Sequence, residues 1–109
     1  MILEVGGQAV PVAVIGAGGA DPGSLTALET ALLRAADGLL RANADFQAQH
    51  PGATLERAES NRLVADNHHG RLYLRYAIPG GAPLEFWANL GRADHLDLGK
   101  GTITVNVHP

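Results

Sequence analysis

Cysteine is absent from the 109 residues. That excludes a disulfide frame, a thiolate zinc site and a Cys nucleophile. Lysine occurs once, at Lys100, and the whole chain sets 8 basic residues against 11 acidic ones, a net charge of -3. An extended polyanion is recognised by clustered Lys and Arg, so a nucleic-acid partner through Arg62, Arg71, Arg75 and Arg92 is not expected. No apolar run approaches the ~18 residues of a membrane span. There is no charged-then-apolar leader either, so the expected setting is the cytoplasm or a macromolecular assembly, with no membrane partner. The only serines are Ser24 and Ser60, and neither stands in a nucleophile elbow. No cofactor is implied.

What is present is patterned for one small α+β domain spanning 1–109. Residues 1–16 alternate as a β-hairpin. A turn at Gly7-Gln8 sets Val5 against Val10, Leu3 against Val12 and Met1 against Val14, all on one face. Pro11 lacks an N–H and points to a sheet edge or a bulge. From about residue 24 to 49 the spacing predicts one long amphipathic helix. Leu25, Leu28, Leu32, Ala35, Leu39, Ala42 and Phe46 form its stripe, widened by Leu33 and Leu40, while Glu29 and Asp37 fall largely outside. Thr26 with Glu29 fits a capping box. Gly38 marks a bend or a close contact with the sheet, and His50-Pro51-Gly52 ends the helix.

The remainder reads as strands. Residues 71–78 and 84–90 flank Pro79-Gly80-Gly81-Ala82-Pro83. A symmetric pairing puts Ile78, Tyr76, Leu74 and Leu72 opposite Leu84, Phe86, Ala88 and Leu90 on an apolar face. The other face then pairs Arg75 with Trp87 and Tyr73 with Asn89. A second turn at Asn67-His68-His69-Gly70 sets Leu63 and Ala65 against Leu74 and Leu72. Residues 53–61 need a bulge near Glu59-Ser60-Asn61 to restore parity. Residues 102–107 either form a bulged hairpin or pair elsewhere, with the N-terminal strand as one option, and a short strand around 95–98 is possible. The expected architecture is β-β-α-β-β-β-β, a curved antiparallel sheet packed against the long helix.

Several groups of residues could carry chemistry. Val14–Asp21 has the outline of a phosphate-binding turn, but Asp21 stands where Gly or Ala belongs and would repel phosphate. Asp66 with His68, and His95 with Asp97, are spaced two apart and could supply a His/carboxylate metal site if they converged, though nothing in the sequence brings them together. Glu56, Glu59 and Glu85 are strand carboxylates; one of them buried would be a general-base candidate.

The outer sheet face carries the most distinctive set. Trp87 falls there by parity beside Tyr73, Arg75 and Arg62, residue types enriched at binding hot spots. The functional expectation is therefore a non-catalytic interaction or assembly module, such as a phage or secretion-type subunit, an inhibitor or an immunity-type binder. It would bind a protein partner or copies of itself through this face or an edge strand. The alternative is a small enzyme or ligand carrier with a pocket between helix and sheet. If strand parity were inverted, Trp87 would be core and Phe86 exposed beside Tyr76.

Overall fold

A computed structural model of the chain describes residues 1–15, 25–61 and 71–107. Its strands are β1 (Ile2–Val5), β2 (Gln8–Ile15), β3 (Thr54–Asn61), β4 (Leu72–Ala77), β5 (Leu84–Leu90), β6 (His95–Asp97) and β7 (Thr102–Val105). Two helices, α1 (Ala27–Ala42) and α2 (Ala44–Gln49), lie between β2 and β3. The strands form one sheet in the order β1-β2-β3-β4-β5-β7-β6. The α+β class expected from the sequence is present, and the short strand at 95–97 completes it.

The sheet is mixed rather than wholly antiparallel. β2 pairs with β3 in parallel across the helical connection, and β7 pairs with β5 in parallel. β7 also pairs antiparallel with β6, so it slots between β5 and the edge instead of reaching the N-terminal strand. Both ladders lie beyond local pattern: a parallel neighbour is reached through a crossover, and no turn residue announces it.

Both hairpins keep the expected faces but shift in register by two residues. Val5 lies opposite Gln8 and Leu3 opposite Val10, because the turn is Gly6-Gly7, with φ of 58° and 83°. A two-residue hairpin turn with positive φ at both centres suits Gly-Gly, the one pair here in which neither residue carries a side chain. At the other hairpin Leu74 lies opposite Phe86, Arg75 opposite Glu85 and Tyr73 opposite Trp87.

The expected tight turn at Asn67–Gly70 lies outside the described residues. The pairing it implied is replaced, since Leu72 and Leu74 lie opposite Ser60 and Ala58 of β3. The irregularity in β3 falls between Leu55 and Arg57, not at 59–61. It lets Leu55, Ala58 and Ser60 all turn inward.

Pro11 is not on an edge strand. It lies opposite Ile2, next to the doubly hydrogen-bonded Met1–Val12 pair. In an antiparallel ladder its nitrogen therefore faces away from β1. On that side the pairing with β3 begins only at Val12, so the missing N–H costs no ladder bond.

The helix divides at Asn43. The Asn43 side chain accepts from the Phe46 N–H at 2.9 Å, and its own N–H closes α1 onto the Leu40 carbonyl. A short polar side chain here offers the backbone an alternative to continued helix. The Thr26–Glu29 capping box forms as the sequence implies, with Thr26 N–H donating to Glu29 Oε1 at 2.8 Å and Glu29 N–H to Thr26 Oγ1 at 3.0 Å. Gly38 is exposed with open space beyond it, so it marks no close contact with the sheet.

The buried stripe of α1 is Glu29, Leu32, Leu33, Ala36, Asp37 and Leu40. It is rotated from the expected one, and it carries two carboxylates into the protein. These helices cover one face of the sheet. Val5, Val10, Leu72, Leu74, Tyr76, Phe86 and Ile103 meet Leu32, Leu33, Leu40 and Phe46 in one core. Each fully buried large apolar side chain contributes about 1.5–3 kcal/mol.

Candidate functional site on the open sheet face

Side chains that alternate with the core residues point to the other face, which no helix covers among the described residues. Register places them in rows across the strands. One row runs Ala13, Glu59, Tyr73, Trp87, Thr102, Asp97. The next holds Arg57, Arg75 and Glu85. Trp87 is 41% exposed, and Phe86 is buried against α2's Phe46, with ring centroids 5.8 Å apart. The parity reading therefore holds, and the inverted one does not.

The centre of this face is aromatic. Tyr73 and Trp87 meet edge-on with centroids 5.5 Å apart, and the Arg57 guanidinium carbon lies 5.3 Å from the Tyr73 ring centre. The expected Arg75–Trp87 stack is absent, because the two-residue register shift puts Arg75 opposite Glu85 instead. Partial burial, then the neighbouring Glu85 carboxylate, raises the Tyr73 phenol above its ordinary value.

Charges ring the aromatic pair and are matched. Arg57 Nη1 donates to Glu59 Oε1 at 2.6 Å, and that hydrogen bond is the main cause raising the Arg57 guanidinium pKa. Arg75 Nε lies 3.0 Å from Glu56 Oε2, yet the alignment is too poor for a hydrogen bond. The contact is an ion pair that leaves the Nε–H without an aligned acceptor. Arg71 Nε donates to Asn89 Oδ1 at 3.2 Å. Arg57 and Arg75 are paired with carboxylates, so they do not make the uncompensated basic stripe that phosphate binding needs. Exposed pairs of this kind add little stability, typically 0–1 kcal/mol.

Among the other sequence candidates, Arg62, Asp66 and His68 lie outside the described residues. His95 and Asp97 do share the open face, on β6. Asp97 Oδ1 is engaged by the Lys100 N–H at 3.0 Å, and no cluster of three or more metal-ligating side chains occurs among the described residues. Glu56, Glu59 and Glu85 are not buried.

Two polar groups on the covered face were not expected there. Asp37, 1% exposed, accepts from Tyr76 Oη at 2.7 Å and from Arg41 Nε at 2.6 Å. Burial, then the Asp37 carboxylate, drives the Tyr76 phenol far above its ordinary range. Buried Ser60 donates to Glu29 Oε2. The missed signal was the stripe itself: Glu29, Asp37 and Leu40 recur at helical spacing with Leu33 and Ala36.

Each edge of the sheet is guarded in part. Glu4 has its backbone groups on the outer side of β1, and Arg34 of α1 places Nε and Nη2 at 3.1 and 3.0 Å from the Glu4 carbonyl. β6, at the other edge, is three residues long and bears His95 and Asp97. Short, charged or capped edges resist pairing with another strand.

One cleft of about 250 Å³ opens beside the end of α2, with Phe46, Leu84, Phe86 and Leu98 below and Gln49, His50 and Lys100 at its rim. No helix among the described residues is long and apolar enough to cross a membrane. In comparisons with known protein families, curated proteins and solved structures, the chain matched none.

Proposed function

We propose that this protein is a non-catalytic docking module that binds another protein surface through the open face of its sheet. The observation that carries the reading is the Tyr73–Trp87 pair, exposed at the middle of an uncovered sheet. Aromatic side chains ringed by Arg are the residue types on which interface energy concentrates. Matched charges around them favour a protein surface over a polyanion. The Arg34 cap on β1 and the shortness of β6 favour the face over strand addition as the mode of contact. The test is to recover complexes of the full chain from its native extract and to measure their size with Trp87→Ala and Arg75→Glu alongside. Loss of a defined complex in both variants supports the reading. A chain that stays monomeric, with no partner lost on substitution, refutes it.

A ligand-carrier reading is favoured by one feature, the cleft beside α2. Its apolar floor, with Lys100 and Glu85 both in the lining, suits a small aromatic zwitterion, although its volume is below the ~300 Å³ at which ligand pockets usually begin. Titration of aromatic amino acids against wild type and Lys100→Ala separates this reading from docking, which predicts no saturable binding there.

A further inference from the structure

We infer that the occupant of the open face is a second copy of this chain, related by a two-fold axis that runs along the seam between β4 and β5. The inference rests on the docking reading and deepens it. Its support is the order of charges across that seam. Arg75 stands opposite Glu85 and Tyr73 opposite Trp87, while Arg71 meets Asn89 one row further on.

A two-fold contact presents the same patch twice, so each residue must meet its complement across the axis. An axis lying in the contact plane along the seam exchanges the two strands, laying β4 of each copy over β5 of the other. Arg75 then faces the second copy's Glu85, and Tyr73 faces the second copy's Trp87, each twice over. The Arg75 Nε is buried within its own chain, so the second copy's carboxylate meets the exposed remainder of the half-buried guanidinium. An axis through the same aromatic pair but across the strands would instead bring Arg75 onto Arg71, like charge on like. The charge order thus selects one of the two simple orientations.

Facing sheets pack about 10 Å apart with strands within about 30° of each other, so contacts near the axis persist while outer ones diverge. The flat area available is roughly 20 by 30 Å from strand spacing and length. That is on the order of 600 Å², short of the ~800 Å² per partner of a standard interface, and implies a weak, reversible dimer.

Sedimentation velocity on the full chain, from about 5 to about 500 μM, reads this directly. Wild type is expected to shift from monomer to dimer across that range. Arg75→Glu alone places Glu on Glu at both contacts, and Glu85→Arg alone places Arg on Arg, so each weakens self-association at least tenfold. Mixed in equal amounts they form a heterodimer in which both contacts are attractive. Circular dichroism of each variant checks that it is folded, and the mixture needs no variant to dimerise alone.

A wild type that stays monomeric at the highest concentration overturns the inference. So does a mixture that fails to associate, or a dimer indifferent to Arg75→Glu. None of these results touches the broader docking reading if a different protein binds wild type and is lost with Trp87→Ala; failure of both measurements removes both.

Discussion

The two faces of this one sheet are built for different tasks. The covered face carries Leu72, Leu74, Tyr76, Phe86 and Ile103, all buried, and every polar group there that is described has a dedicated partner. The open face carries arginines and carboxylates in alternation around two half-exposed rings. Burial on the first face holds the fold together; the second face is nearly free of that duty. Residues on the open side can therefore be chosen for what they meet. The difference predicts that substitutions on the two sides separate into those that change stability and those that change association.

The largest effect is expected at Phe46, the side chain that α2 delivers to the core. Its ring meets Tyr76 and Phe86 with centroids 5.8 Å away in each case, and Tyr76 and Phe86 are themselves 5.7 Å apart. Phe46→Ala removes the hub of this trio and is expected to cost about 3–5 kcal/mol, read as a lower urea midpoint. A loss under about 1 kcal/mol would mean that α2 is an ornament on the fold and that the covered face ends at α1.

Next in size is Tyr76, where the covered face holds a hydrogen bond to a buried carboxylate. Tyr76→Phe deprives Asp37 of one donor and leaves Arg41 as the other, so it is expected to cost about 1–3 kcal/mol at neutral pH. The same substitution changes the alkaline limb of the stability curve. In the folded chain the phenol keeps its proton well above the ordinary value of about 10, whereas the unfolded chain releases it there. The folded state then binds more protons, so this contribution is whole below about pH 10 and declines as pH rises beyond it. Tyr73 is also raised and retains a smaller share. Urea midpoints at pH 8 to 11 should fall less steeply in Tyr76→Phe than in wild type; parallel curves would show that the phenol is not held by burial and Asp37.

How far the sequence reveals these faces depends on what alternation can encode. Parity assigned Leu72, Leu74 and Phe86 inward and Trp87 outward, and the structure agrees. Parity is blind to a shift of two residues, and both hairpins shift by two. The turn decides between such registers, and at Gly6-Gly7 the two positive φ angles outweigh the better pairing of Val5 with Val10. Charge misled in a different way. Glu29 and Asp37 look like solvent-facing residues until Ser60 and Tyr76, 31 and 39 residues away, are known to meet them. The parallel ladders to β3 and β7 were illegible for the same reason: their partners are distant in the chain. At the candidate site, alternation was enough to place Tyr73, Arg75 and Trp87 together. It could not supply Arg57 and Glu59, because the irregularity at Leu55–Arg57 that sets their side has no turn residue to mark it.

The smallest stability effect is expected at the open face, and it is the most direct test of the division. Trp87 is large, so its loss would be severe if burial set its worth. It is 41% exposed, however, and its one ring contact among the described residues is the edge-on approach to Tyr73. A cross-strand pair of this kind contributes about 0.2–1 kcal/mol, and the ion pairs beside it little more. Trp87→Ala should therefore cost less than about 1 kcal/mol in a urea titration while abolishing association through this face. A loss as large as that of Phe46→Ala would make Trp87 a structural residue. The open face would then be part of what holds the sheet together, and its aromatic centre would no longer argue for a partner.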